Sequence, residues 1–252
     1  MFDLTGRTAF VTGASRGIGQ VIAVALARAG ADVALAARSE EGLNQTAAQI
    51  TALGRKAFVL PLDVTRQEDV NAAVAKAIEL LGHIDVVVNN AGGSNFIVPF
   101  LDLRMSGWEK LLRLNLDSTV YVCQAVGGHL QERGSGSVIN VASVAGLSAA
   151  PGLVPYGAAK AAVISVTKTL AVEWASSNVR VNALCPGWTA TDLNRNLWDT
   201  PDGGAATVSS VPMRRWGRAE EMGGPAVFLA SDASSYMTGQ VLIVDGGQLA
   251  SA

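Results

Sequence analysis

Short apolar runs alternate with longer stretches in which apolar residues recur every three or four positions, and this alternation repeats along the whole chain. The runs near 7–12, 32–37, 56–61, 85–88, 136–142, 179–185 and 240–244 are almost continuously apolar, as strands buried on both faces are. The stretches near 17–30, 40–53, 67–81, 104–132, 154–176 and 219–230 carry helical periodicity. Gly30, Gly54 and Gly82 mark helix ends, and Thr65 with Glu68 reads as a capping box opening the third helix. Strands joined by helices predict a seven-stranded parallel sheet, doubly wound, with helices on both faces and ligands taken at the C-terminal strand ends. No long linker or low-complexity segment interrupts the pattern, so residues 1–252 are expected to form one α/β domain.

Composition narrows the classes of function. The 252 residues are 49% hydrophobic and 16% charged with a net charge of −2, which suits one enzyme-sized core and argues against a nucleic-acid partner. The opening segment Met1 to Gly6 lacks the basic stretch and apolar run of a signal peptide, and no 18 consecutive residues are apolar. The expectation is a cytoplasmic protein away from membranes. Cys123 and Cys185 are too few for a disulfide framework, and His83 and His129 have no ligand spacing, so no metal is expected.

Two constellations carry chemistry. The first strand runs into Gly13-Ala14-Ser15-Arg16-Gly17-Ile18-Gly19 and an apolar helix from Val21 to Ala29. Strand, glycine turn and helix start are the parts of a Rossmann-type dinucleotide site, in which glycines admit a pyrophosphate and free helix N–H groups face it. The second constellation is Tyr156-Gly-Ala-Ala-Lys160, thirteen residues after Ser143. On a helix the Tyr and Lys are one turn apart on one face. A phenol titrates near ~10, and a cation at ~4 Å in an effective dielectric of about 20 lowers that by at most roughly three units. Tyr156 is therefore expected to exchange a proton with a carbonyl or alcohol, with Ser143 hydrogen-bonding the same oxygen.

At the end of the second strand, Ala36-Ala37 occupy the place where a carboxylate would bind the ribose hydroxyls of NAD, and Arg38 and Ser39 follow. Arg38 with Arg16 offers two cations to a 2′-phosphate, favouring NADP(H). Glu40 and Glu41 keep NAD(H) open.

The chain resembles the short-chain dehydrogenase/reductase family through Thr12 to Gly19, Asp63-Val64, Asn89-Asn90-Ala91-Gly92, Asn115, Ser143, Tyr156 with Lys160, and Pro186-Gly187, in the family's order and spacing. The resemblance implies that Asn115, Ser143, Tyr156 and Lys160 form the catalytic set, with Asn115 holding a helix kink and a water reached from Lys160. It also implies that Lys160 binds the nicotinamide ribose. Gly13, Ser15, Arg16, Gly17, Ile18 and Gly19 would hold the phosphates, and Asp63 and Val64 would flank the adenine. Asn89, Ala91 and Gly92 would border the cofactor, with Asn89 as much a brace as a ligand. Pro186 and Gly187 would open the loop that holds the nicotinamide carboxamide by the Thr189 backbone and the cofactor phosphates by Thr191, although Thr191-Asp192 also fits a plain helix start. Departures from the pattern are Ala142 and Ala159, where many relatives carry a second hydroxyl. Members commonly form tetramers through the two long helices and the last strand.

Substrate identity is thinly encoded. The segment 188–213 is expected to form a lid, mixing Trp188, Leu193, Leu197, Trp198 and Met213 with Asn194, Arg195 and Asn196. The loops Gly93-Ser94-Asn95-Phe96 and Val144 to Leu153 add small and apolar groups. The pattern is similar to 3-oxoacyl-carrier-protein reductases and to gluconate 5-dehydrogenases. The expectation is therefore an NADP(H)-dependent carbonyl–alcohol oxidoreductase acting on a small molecule. An NAD(H)-dependent polyol or sugar-acid dehydrogenase is the alternative, and a dinucleotide sensor without turnover is the alternative of another class.

Overall fold

Thr8–Thr12 is buried at all five positions and forms β1, a strand with neighbours on both sides. The computed structural model describes residues 1–94 and 96–251; Asn95, from the loop expected beside the cleft, and Ala252 lie outside the described residues. Around β1 the chain lays down α1 (Gly17–Arg28), β2 (Asp32–Ala37), α2 (Glu40–Ala52), β3 (Ala57–Pro61), α3 (Gln67–Leu81) and β4 (Val86–Asn89). Then follow α4 (Met105–Leu112), α5 (Ser118–Arg133), β5 (Gly136–Val141), α6 (Val154–Trp174) and β6 (Val179–Pro186). The last part holds the two-residue strands β7 (Thr189–Ala190) and β8 (Gly217–Arg218), the short helices α7 (Arg195–Trp198) and α8 (Ala205–Val208), α9 (Gly223–Ala230) and β9 (Val241–Val244).

The main sheet has seven strands in the order β3-β2-β1-β4-β5-β6-β9, all parallel, as the apolar runs predict. Because alternate strand residues point to opposite faces, two cores result. Ala9, Val11, Val33 and Leu35 pack with α1, α2 and α9, while Phe10, Ala34 and Ala36 pack with α3 and α5. At the N-terminal rim, buried Asp85 accepts the Thr8 N–H at 2.9 Å and meets His83 at 3.0 Å, Arg133 at 3.2 Å and Arg7 at 3.6 Å. His129 Nε2 accepts the Ile84 N–H at 3.1 Å, so both histidines are tied into structure.

Two local expectations are corrected. Thr65 does not cap α3: its N–H and Oγ1 both donate to Asp63 Oδ1, at 3.0 and 2.8 Å, and Arg66 stands at the N-cap without a side-chain cap bond. The short Asp–Thr ring captures the hydroxyl before the helix can. Nor is 104–132 one regular helix, since residues 113–117 form a π-turn between α4 and α5 in which the Ser118 N–H reaches back to Arg113 O. Such widened turns recur at functional sites and bend helices. No described helix is long and apolar enough to cross a membrane.

Candidate active site

The strand ends at the C-terminal rim open onto a cleft of about 1720 Å³. Its floor on the β1 side is the glycine turn. Gly13 and Gly17 adopt φ of +65° and +59°, a region favourable to glycine, and Thr46 Oγ1 from α2 braces the turn by donating to Ala14 O at 2.9 Å. A Cβ on Gly19 would stand 2.3 Å from both Gly13 O and Asn90 Nδ2. Arg16 occupies the α1 N-cap without a side-chain cap bond, leaving the first-turn N–H groups to face the cleft. Free helix donors, with Arg16 and Arg38 on the wall, fit the phosphates of a dinucleotide. Ser15 and Ile18 line the same stretch. Ser39 also lines it while capping α2 through the Gly42 N–H at 3.2 Å.

Asp63 and Val64 lie on the wall beyond β3. Burial alone would raise the Asp63 carboxyl, but the two Thr65 hydrogen bonds, helped by Arg38 and Arg66, outweigh it and hold the group below its ordinary range.

At the end of β4 the structure separates the paired asparagines. Asn90, Ala91 and Gly92 line the cleft, and Asn90 Nδ2 bridges to Thr12 O and Gly13 O at 3.2 and 3.3 Å. Asn89, expected beside the cofactor, is turned away and buried, donating to Asn140 Oδ1 at 2.9 Å. Strand alternation sends neighbours to opposite sides, so the cofactor expectation for Asn89 is corrected to a brace. Asn115 is fully buried in the π-turn; its Oδ1 accepts the Gly93 N–H at 2.7 Å and its Nδ2 donates to Gly93 O and Leu111 O, each at 3.0 Å. A Cβ on Gly92 would lie 2.6 Å from Asn115 Oδ1 and 3.2 Å from Lys160 Nζ, so Gly92 is the gap through which the two side chains approach.

Ser143 follows β5 and caps the 3₁₀ turn 144–146, its Oγ accepting the Ala145 N–H at 3.1 Å. Tyr156 and Lys160 stand on the first turns of α6, and all three line the cleft. Lys160 is 3% exposed, donates to Val141 O at 2.8 Å, and its Nζ lies 5.7 Å from the Tyr156 ring centre. The sequence led to a phenol lowered by the lysine; the structure reverses that sign. Burial raises the Tyr156 phenol above its ordinary value, with Ser143 opposing, and burial lowers Lys160 to about 8. Both groups share a poorly solvated pocket, which disfavours phenolate and ammonium alike.

Pro186, Gly187, Thr189 and Thr191 form the opposite wall. Thr191 faces the glycine turn, since a Cβ on Gly17 would lie 3.6 Å from Thr191 Cγ2. It also caps the 3₁₀ turn 192–194, sharing Asn194 Oδ1 through its N–H at 2.9 Å and its hydroxyl at 3.1 Å, so loop and helix-start readings coincide. Trp198 Nε1 holds Thr191 O at 2.9 Å. Asn194 and Trp198, expected only as members of the lid, thus also brace Thr191; the Thr191-x-x-Asn194 cap spacing could have shown the first of these roles, and spacing gives no signal for the second. Leu193 reaches over the cleft, because a Cβ on Gly93 would meet its Cδ2 at 2.5 Å.

Residues 13–248 match the family model described as enoyl-(acyl carrier protein) reductase. The chain is 40% identical over 247 residues to the gluconate 5-dehydrogenase of Gluconobacter oxydans strain 621H, covering 98% of this chain and 96% of that protein. It is 39% identical over 251 residues to the 3-oxoacyl-[acyl-carrier-protein] reductase of Synechocystis sp. PCC 6803, covering 99% of each. A gluconate 5-dehydrogenase from Burkholderia cenocepacia J2315, solved in complex with NADP and tartrate, superposes with a TM-score of 0.94 at 39% identity, covering 100% of this chain and 98% of that one.

Proposed function

Since the chain belongs to the short-chain dehydrogenase/reductase family and is an oxidoreductase of carbonyl and alcohol groups, we propose that Tyr156, Ser143, Lys160 and Asn115 carry that reaction in this cleft with NADP(H) as the preferred cofactor. The observation that carries the reading is the junction of a glycine turn, a serine at a strand end and a half-buried Tyr beside a buried Lys on one rim.

When bound, a nicotinamide dinucleotide supplies the hydride for reduction or takes it up in oxidation. Tyr156 donates its proton to the carbonyl oxygen as the alcohol forms. Its raised pKa keeps that proton in place at neutral pH, ready for reduction, and makes the reverse reaction faster at alkaline pH. Ser143 hydrogen-bonds the same oxygen and orients it. Lys160, anchored on Val141 O, presents its charge to the ribose hydroxyls and to the Tyr156 oxygen as that oxygen loses its proton. Asn115 acts through others, tying Gly93 to the π-turn beside Lys160.

Arg16 and Arg38 support the NADP(H) preference, as does a relative solved with NADP. Glu41 on the same wall favours the second reading, an NAD(H)-dependent polyol or sugar-acid dehydrogenase. Residues 188–213 serve as the lid. A cytoplasmic homotetramer, paired through α5, α6 and β9, fits the exposed Val172 and Ile243 on two of those elements.

The test follows absorbance at 340 nm with NADPH or NADH and a panel of β-ketoacyl thioesters, aryl ketones and 5-ketogluconate. Turnover with NADPH, reduced about 10²–10⁴-fold in Tyr156→Phe, is the expected result. A variant with near-normal turnover removes Tyr156 from the mechanism, and a kcat/KM favouring NADH rejects the cofactor preference.

A further inference from the structure

We infer that Gln248 reads a hydroxyl on the substrate, so that this cleft takes neutral hydroxylated ketones, or the matching polyols, in preference to ketones without that group. The inference rests on the carbonyl–alcohol reading above.

Among the described residues, four buried side-chain polar atoms have no hydrogen-bond partner: Arg55 Nε, Asn89 Oδ1, Trp216 Nε1 and Gln248 Oε1. Only Gln248 belongs to a residue that lines the cleft. A buried acceptor left unpaired is costly, and a ligand donor that reaches it removes the cost.

The main chain that carries Gln248 is also held in place. Asp245, directly after β9, accepts the Gly247 N–H on Oδ1 at 2.9 Å and the Leu249 N–H on Oδ2 at 2.8 Å. The Met213 N–H donates to Gly246 O at 3.2 Å. A Cβ on Gly246 would stand 2.9 Å from Val211 Cγ1, and one on Gly247 would stand 3.1 Å from Pro212 Cγ. The turn presenting Gln248 is thus clamped between the end of β9 and residues 211–213.

Its place on the rim points to substrate rather than dinucleotide. β9 pairs with β6 and β6 with β5, so Ser143, Gly187 and Asp245 follow three adjacent strands, spanning about 10 Å at ~4.8 Å per strand. Arg16, Arg38 and Asp63 follow β1, β2 and β3, at the other end of the sheet order.

The chemistry of this wall is neutral. Trp188, Thr207 and Ser210 line the cleft on these neighbouring segments. The nearby cations are engaged elsewhere: Arg214 donates to Ser209 O, and Glu221 clasps Arg215 with two bonds of 2.8 Å. Asp245 spends both oxygens on backbone N–H groups. An amide on a cleft wall that also carries Thr207 and Ser210 suits an alcohol group, whereas an unfunctionalised ketone leaves Oε1 unpaired.

The test compares wild type with Gln248→Met, which keeps length and loses the acceptor, on matched ketones of four to six carbons. Erythrulose is set against butan-2-one, and xylulose and fructose against pentan-2-one and hexan-2-one. Fluorescence titration with NADPH checks each protein for dinucleotide binding. The expected result is a wild-type preference for the hydroxylated member of each pair, with the hydroxylated-to-deoxygenated ratio of kcat/KM falling about 10–100-fold in Gln248→Met. An unchanged ratio, or a wild-type preference for the deoxygenated ketones, overturns the inference and leaves the carbonyl–alcohol reading standing. A wild type that binds NADPH and reduces neither these ketones nor the panel above overturns both.

Discussion

The two walls of the cleft are built by opposite strategies. On the β1 side Asn90 and Thr46 tie the chain after β4 and α2 to the backbone of the glycine turn, with Gly19 so close to Gly13 O and Asn90 that no side chain fits. On the far side, residues 188–218 contribute a two-residue strand pair, two four-residue helices, and side chains that hold its main chain, Trp198 at Thr191 O and Asn194 at Thr189 O. The first wall is set by what the chain cannot have, a Cβ. The second is set by which side chains happen to reach its main chain. A cofactor shared by many enzymes suits the first strategy, and a substrate peculiar to a few suits the second.

The sharpest way to break the first wall is Gly19→Ala. Backbone cannot give way as a flexible side chain would, so the expected loss is about 3 kcal/mol, at the upper end for overpacking. For a protein of this size that is roughly 6–12 °C in Tm, read by calorimetry, with NADPH binding weakened in parallel by fluorescence titration. An unchanged melting temperature would show that this wall tolerates side chains after all.

Lys160 belongs to both walls' chemistry and sharpens the comparison through pH. Its pKa in the folded protein is lowered to about 8 against an ordinary 10.5, so between those values the unfolded chain binds more protons. Stability of the dinucleotide-free protein is therefore expected to rise with pH from about 8 towards 10.5 as far as this group is concerned. Ketone reduction runs the other way: its kcat/KM, which reports the free enzyme, is expected to fall up to tenfold per pH unit above about 8 as the ammonium is lost. A flat profile from pH 7 to 10 would remove the charge of Lys160 from the mechanism.

The smallest effect is expected on the second wall. Trp198→Phe removes the indole bond to Thr191 O and little else, costing about 1 kcal/mol. Thermal denaturation should register about 2–4 °C, while KM for the ketone rises severalfold and dinucleotide affinity, which Thr191 shares in, falls less. A large change in dinucleotide affinity would show that the two walls are not separable.

This asymmetry also explains what was legible in the sequence. The seven strands and the glycine turn were readable because continuous apolar runs and glycine spacing are local signals with one physical meaning each. Ser143, Tyr156 and Lys160 were readable from spacing, yet the direction of the Tyr156 shift was not. It depends on how deeply α6 packs against β5 and β6, which spacing does not record. Asn89 and Asn90 were inseparable as a pair in the sequence, and only the pleat of β4 assigns one to the core and the other to the turn. Thr65 was given a helix to cap because Glu68 lies three residues on, but Asp63 was nearer. Gln248 matters through the packing of its turn on residues 211–213, a segment remote along the chain, for which periodicity holds no trace.

The sheet order has a consequence for the time course of folding. β1 pairs with β2 across 24 residues, from Thr8 to Asp32, but with β4 across 77, from Ala9 to Val86. Long closures are slow, because the chain loses its freedom before the contacts repay it. The dinucleotide wall straddles this junction: the glycine turn ends β1, and Asn90 ends β4. Nucleotide therefore has nothing complete to grip until the longer of these two pairings is made, and it acts as a lock on the finished molecule rather than a template for the growing one.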